Sequence, residues 1–362
     1  MKIALIARST LYDVPGGDTV QIIQTARHLQ LAGAEAAVCL THEAIRYAEY
    51  DLFHFFNITR PADILYHLRK ITKPYIITPI LVDYSEYDKY HRGGLTGLLF
   101  RVCSSDRIEY LKTVFRWIKG NDTIRDKSYL VKGQRRTIRF ILEKAALLLP
   151  NSLAEYSSLL RKYAVSREFM VVPNGTDASI FKEDNGTEKD KQLVLCVARI
   201  EGIKNQYNLI KALKGTSFQL VIIGALSPNQ HSYYHRCLRT AGANVTFTGR
   251  LSPGEIAAYY AKAKVHVLPS WFETCGLSSL EAAAMGCNVV ITKKGYTEAY
   301  FGPHAFYCNP GDTASIRQAI EEAAAAGKDT ALQNRIQHEY TWEKAAAITL
   351  EGYKKAIAGW EN

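Results

Sequence analysis

The sequence predicts an α/β protein with two parallel-sheet domains, and three observations carry that expectation. Short apolar runs alternate with helix-length stretches along the whole chain, and strands separated by helices argue for parallel sheets. A length of 362 residues provides for about two domains, each with its own core. Between the two series of elements lies a polar stretch, residues 182–191, that reads as an interdomain linker.

Composition narrows the class. A hydrophobic content of 47% with 22% charged residues is ordinary for a soluble globular protein. The seven cysteines (residues 39, 103, 196, 237, 275, 287 and 308) are odd in number and lack close paired spacing. That pattern suits a reducing compartment and offers no zinc site. The apolar start at residues 3–7 is too short for a secretory signal, and no run of eighteen apolar residues is present to span a bilayer. The expected location is cytoplasmic.

The net charge of +10 is unevenly placed: residues 101–144 hold 12 Lys/Arg against 5 Asp/Glu. Aromatic and apolar residues interleave with the basic ones in RIEYLKTVFRWIKG, which reads as a helix. Such a helix suits an anionic membrane surface, and the location then becomes peripheral on the inner face of the plasma membrane. A solvated helical face explains the same charge. A nucleic-acid patch has no recognition motif beside it, so no nucleic-acid partner is expected.

In order, MKIALIA reads as a first buried strand, followed by a Gly16-Gly17-Asp18 turn and a helix from about Thr19 to Leu31. Glycines there permit close backbone approaches, and their amides with the helix start suit an anionic or hydroxylated ligand. The spacing is not that of a dinucleotide fingerprint. AEAAVCLT and YDLFHFFN read as strands, ADILYHLRKI as a helix and PYIITPIL as a strand. Ligands of parallel sheets gather at the carboxyl ends of strands, which places Asn57 and Arg60 near such an end. His54, among apolar neighbours, reads as a core histidine. FILEKAALLLPNS reads as a strand and EYSSLLRKYAV as a helix. Asn174-Gly175 in MVVPNGTD is a good turn.

The second series opens with QLVLCVARIEGIKN, whose strand at residues 193–197 delivers Arg199 to its end, with Lys204 five residues on. FQLVIIGAL, VTFTGRLSPGEIAAYYAKA and CNVVITKKGYTEAY continue the alternation, the last with Glu298 in its loop. The helical tail YTWEKAAAITLEGYKKAIAGW ends the chain.

The densest signal is PSWFETCGLSSLEAAAMG at residues 269–286. A strand stops at Pro269, and a helix runs from about Leu277 to Gly286, a usual stop residue. Amides of the first helical turn and the helix dipole make an anion site. Glu273 precedes the helix, and Glu281 lies about one turn inside it, near the face of Ser278. Carboxylates beside an anion pocket suit hydroxyl-rich groups, through charge-assisted hydrogen bonds. A dipole-tuning acid plus one solvated helix Glu accounts for the same stretch taken alone.

Glu-x7-Glu in this setting resembles the signature of retaining family 4 glycosyltransferases (glycosyl transferases group 1). The Arg199-x4-Lys204-Asn205 spacing, the PNGTD turn and the glycine loop resemble that family as well. The resemblance implies the GT-B fold, two Rossmann-like domains with a deep interdomain cleft. Domains are then expected at residues 1–180 (acceptor-binding) and 181–340 (nucleotide-sugar-binding), with the helical tail, residues 341–362, packing back on the first.

It also implies roles. Glu273 contacts the donor sugar, Glu281 holds the ribose, and the backbone of Thr274, Cys275, Gly276, Leu277 and Ser278 holds the diphosphate. Gly249, Arg250 and Leu251 line the base, and Gly17 lies near the donor phosphate. Gly16, Gly17 and Asp18 face the acceptor. Arg199 and Lys204 would stabilise the departing diphosphate, acting most strongly in the transition state. Many family members carry a histidine after the strand at PYIITPIL that reaches the donor sugar; here Asp83 is nearest and is the expected catalytic side chain of the first domain, with His91 eight residues on.

The expected function is retaining transfer of a hexose from a nucleotide-sugar to a glycan or polyprenyl-linked acceptor, in bacterial surface polysaccharide biosynthesis. No Asp-x-Asp occurs, so no metal cofactor is expected and the basic pair replaces it. A sugar phosphorylase, a nucleotide-sugar epimerase, or a non-catalytic membrane-associated subunit would keep the same fold.

Overall fold

The computed structural model describes residues 1–91, 100–120, 123–182 and 188–361. The chain divides into two compact units, Met1–Asn174 with Trp342–Asn362, and Gly175–Thr341.

The first unit is a five-stranded sheet in the order β2-β1-β3-β4-β5, every pair parallel. Its strands are β1 (Lys2–Ala7), β2 (Glu35–Leu40), β3 (Leu52–Phe56), β4 (Tyr75–Thr78) and β5 (Leu147–Leu148). Helices α1 (Gly17–Leu31), α2 (Pro61–Leu68), α3 (Ser105–Ile118), α4 (Ser128–Lys144) and α5 (Leu153–Tyr163) connect or flank them. One face packs Ile6, Phe53, Phe55 and Ile77 against Ile138, Ile141 and Leu159 of α4 and α5. The last helix, α13 (Trp342–Glu361), packs beside α1. His54 of β3 bonds Tyr353 of α13 at 2.7 Å and Thr78 at 2.8 Å. Burial lowers its pKa to about 3, so it is a neutral, satisfied core side chain.

The second unit has six parallel strands: β6 (Asp190–Val197), β7 (Gln219–Ile223), β8 (Val245–Gly249), β9 (Ala263–Leu268), β10 (Asn288–Thr292) and β11 (Phe306–Cys308). Their order, β11-β10-β9-β6-β7-β8, is that of the Rossmann sheet, and it reverses between β6 and β9. Helices α6 (Gln206–Ala212), α7 (His231–Thr240), α8 (Pro253–Lys262), α9 (Leu277–Ala284), α10 (Glu298–Phe301), α11 (Thr313–Ala325) and α12 (Thr330–Glu339) complete it. Alternation along β6 sends Val194 and Cys196 into one core with α6 and α11, and Leu195 into another with α9 and α12. Both faces of the sheet are therefore covered, which explains its nearly unbroken apolar strands.

Three expectations need correction. The boundary falls at 174/175 rather than 180/181, because Phe181 is buried in the second core and Thr176 pairs with Tyr340 there. The polar stretch at 182–191 lies inside the second unit, its end already belonging to β6; residues 183–187 lie outside the described residues. FILEK is the end of α4, not a strand, which leaves only Leu147–Leu148 as β5. Apolar residues on one helix face mimic a strand when an apolar strand follows directly.

Candidate functional site

The point where the second sheet reverses lies between the carboxyl ends of β6 and β9, and the predicted residues cluster there. Two residues beyond β6, Arg199 donates to Glu201 at 3.0 Å, and Ser227 donates to the other oxygen of Glu201 at 3.1 Å. The buried Gln206 holds the Arg199 carbonyl at 2.8 Å. Arg199 is thus fixed at both backbone and guanidinium. Gly224, at the end of β7, lets this strand end pass closely: a Cβ there would meet the Ala198 carbonyl oxygen at 2.0 Å.

Lys204 ends a single 3-10 turn, Gly202–Lys204. The buried Asn205 side chain donates to the carbonyls of Pro269 (3.0 Å) and Pro310 (2.8 Å), and Trp271 N–H donates to Ile203. These bonds clamp the lysine loop to the end of β9. Lys204 Nζ consequently sits 2.5 Å from Glu273 Oε1, which also accepts from Ser270 Oγ at 2.7 Å. The Glu273 backbone pairs with the loop after β10, receiving Tyr296 N–H and giving its own N–H to Lys294. Gly295 makes this possible, since a Cβ would lie 1.9 Å from the Glu273 carbonyl oxygen.

Helix α9 follows, capped by Gly276, whose carbonyl accepts from Ser279 and Leu280. The amides of Leu277 and Ser278 precede the first bonds of the helix, as an anion-binding terminus requires. Cys275 is buried, so it can offer only backbone here. The helix ends in the expected way, with Gly286 N–H on Ala283 and Cys287 N–H on Ala282, the Schellman pattern. Glu281 is half-buried, and burial pushes its carboxyl up to about 8, with the neighbouring Tyr260 hydroxyl acting in the opposite direction. Gly249 ends β8, and Arg250 is exposed beyond it.

The structure thus brings Arg199, Lys204, Glu273 and the start of α9 to one end of one sheet, with Glu281 a turn further along α9. Sequence reasoning missed Glu201, Ser227, Ser270, Gln206 and Gly295, which hold those groups. Glu201 alone had a signal, as the carboxylate two residues after Arg199.

In the first unit the outcome differs. Gly16 is extended and Gly17 begins α1, so neither uses the left-handed backbone that only glycine favours. Asp18 is gripped by Arg8 through Nε (2.6 Å) and Nη2 (3.1 Å), while Arg8 also donates to Thr10 and Val14. Its carboxylate organises the loop. Asp83 follows β4 and accepts from Ser85 N–H at 3.0 Å and from Lys162 at 3.5 Å. Burial opposes its ionisation, but Lys162 and Ser85 outweigh that and hold its carboxyl below the usual range. His91 is exposed at the end of a short π-helical turn, Tyr87–His91. Among the described residues, no group of three His, Cys, Asp or Glu side chains is placed to hold a metal, and no helix is long and apolar enough to cross a membrane.

Residues 177–338 match the family model for glycosyl transferases group 1. A D-inositol 3-phosphate glycosyltransferase of Paenarthrobacter aurescens is 27% identical over 63% of this chain and 61% of its own length. The chain thus spans under two thirds of that relative. Sucrose-phosphate synthase from Thermosynechococcus elongatus superimposes with a TM-score of 0.75 at 18% identity, covering 99% of this chain and 100% of that one. HepE of Anabaena, solved with UDP, gives 0.68 at 16% identity over 98% and 100%. These likenesses establish the fold, GT-B.

Proposed function

We propose, from the match of residues 177–338 to the family model for glycosyl transferases group 1, that this chain transfers a hexose from a nucleotide-sugar to a glycan or lipid-linked acceptor, retaining the anomeric configuration. The observation that carries the reading is the meeting of Arg199, Lys204 and Glu273 beside the start of α9 at the switch point of the second sheet.

The proposed chemistry is leaving-group stabilisation. The donor diphosphate lies against the Leu277 and Ser278 amides, with the Arg199 and Lys204 cations beside it. Charge grows on the diphosphate as the glycosidic bond breaks, so these groups bind the transition state more tightly than the ground state. Glu273 orients the sugar, Glu281 takes the ribose hydroxyls, and the backbone of Gly249, Arg250 and Leu251 lines the base. The acceptor hydroxyl attacks from the face that the diphosphate leaves, and a phosphate oxygen takes its proton. Gly16, Gly17 and Asp18 are proposed to serve the acceptor side, and Asp83 to act catalytically in place of the family histidine that reaches the donor sugar. The two cations take the place of a metal, so activity should persist in excess chelator.

The setting we propose is surface polysaccharide or lipid-linked glycan assembly at the inner face of the plasma membrane. Val102, Phe115 and Ile118 are exposed among the basic residues in and around α3, a pattern suited to an anionic bilayer. Sedimentation with phosphatidylglycerol vesicles tests this, and no binding at low salt would refute it.

The deciding experiment is a thermal-shift panel of UDP-, GDP- and ADP-sugars. The matching donor should raise Tm by mass action, and Arg199→Ala should abolish the rise. Nucleotide release only when acceptor is present would separate transfer from phosphorolysis and epimerisation. A chain that binds no nucleotide-sugar would end the proposal.

A further inference from the structure

Tyr260, on α8, has no exposed surface, and its hydroxyl reaches the first turns of α9. There it donates to the Ser278 carbonyl at 2.9 Å, and the Glu281 carboxyl is near enough to act on it electrostatically. Ser278 and Glu281, three residues apart, share one helix face. A single phenolic proton therefore faces two acceptors. With the proton on the Ser278 side, a bond between the phenol and Glu281 needs a proton from the carboxylic acid. With the proton turned to Glu281, the carboxylate stays ionised, and Ser278 retains the bond of its own helix. The two states present different faces to a ligand. An ionised Glu281 accepts from both hydroxyls of a vicinal diol, whereas a protonated one turns one oxygen into a donor.

We propose that Tyr260 is a positioning residue for Glu281, its hydroxyl turning from the Ser278 carbonyl to the carboxylate when a ribose diol binds. This inference rests on Glu281 being the ribose anchor. Titratable groups packed around the pair are His266 of β9, whose ring meets Tyr260 at 5.7 Å, and the Cys196 and Cys287 thiols. The Lys189 ammonium is turned to the carbonyls of Tyr260 and Met285. Burial holds His266 near 3 and Cys196 near 12, so neither changes charge between pH 6.5 and 9, whereas Glu281, near 8, does.

The test is calorimetric titration of the protein with UDP, GDP and ADP in turn from pH 6.5 to 9.5. A diol held by a carboxylate binds more tightly as Glu281 ionises, so affinity should rise by up to tenfold per pH unit and level off above about pH 8. Tyr260→Phe should weaken binding about tenfold near pH 7.5. Because the phenol lowers the Glu281 pKa, that variant should also level off at higher pH. The donor KM should rise more than kcat falls. Glu281→Gln should flatten the profile, and adding Tyr260→Phe to it should cost little more, since the two act as one unit.

A flat wild-type profile overturns the inference, and that measurement needs no variant to fold. So does a Tyr260→Phe protein with wild-type Tm, affinity and profile, or one whose loss adds fully to that of Glu281→Gln. A wild-type protein that binds none of the three nucleotides instead ends the ribose-anchor reading, and this inference with it.

Discussion

Lys204→Ala separates the structural duty of one side chain from the chemical one proposed for it. At 2.5 Å and an effective dielectric of about 20, the pull between Lys204 and Glu273 is roughly 7 kcal/mol before desolvation is subtracted. Both side chains are largely covered, 19% and 9% exposed, so removing the cation strands a carboxylate with little water around it. Breaking such a pair from one side costs about 3–5 kcal/mol. Ser270 still donates to Glu273, which puts the expected loss near the lower figure. For a unit of this size that lowers Tm by roughly 6–12 °C. Adding Glu273→Gln removes the stranded charge and should restore about half the loss. Activity should not return, because a cation missing from the leaving group costs on the order of 100- to 1000-fold in kcat. Calorimetric melting of the three variants, with initial rates on the donor found in the panel, reads both quantities. A double variant melting no higher than Lys204→Ala, or turning over like wild type, would refute this account.

Two further outcomes follow from single observations. Gly295→Ala puts a Cβ against the Glu273 carbonyl oxygen at a φ of +112°, so the loop after β10 must shift. It should lower Tm by several degrees and raise the donor KM, with circular dichroism otherwise unchanged; wild-type kinetics would show that the loop does not aim Glu273. Stability of the ligand-free protein should peak near pH 6.5. Above it, Glu155 (raised by burial to about 7) and Glu281 (about 8) hold protons that the unfolded chain has already released, so stability falls as pH rises toward 8. Below it, buried His54, His67 and His266, lowered by burial to about 3, 4 and 3, stay neutral while the unfolded chain protonates, so stability falls again. A Tm that climbs steadily from pH 6.5 to 8.5 would contradict this.

Sequence alone determined the α/β class of this protein and marked the residues that gather at one end of its second sheet. Strand and helix periods are local properties, and so are a strand stop at Pro269, a helix stop at Gly286 and two acids eight residues apart. Arg199 and Lys204 were legible because a strand end and a short spacing place them. Tertiary structure decided what holds those groups. Glu201 and Ser227 lie 26 residues apart, Asn205 and Pro310 lie 105 apart, and Lys204 and Glu273 lie 69 apart. No local pattern encodes such pairings, because they follow from which strand ends the parallel sheet sets side by side. The same reason explains the misread parts. The loop before Gly16-Gly17 is organised from the end of β1, where Arg8 holds Asp18, a pairing that composition does not show. FILEK carries apolar residues that suit strand or helix, and packing against β3 and β4 settled them as helix.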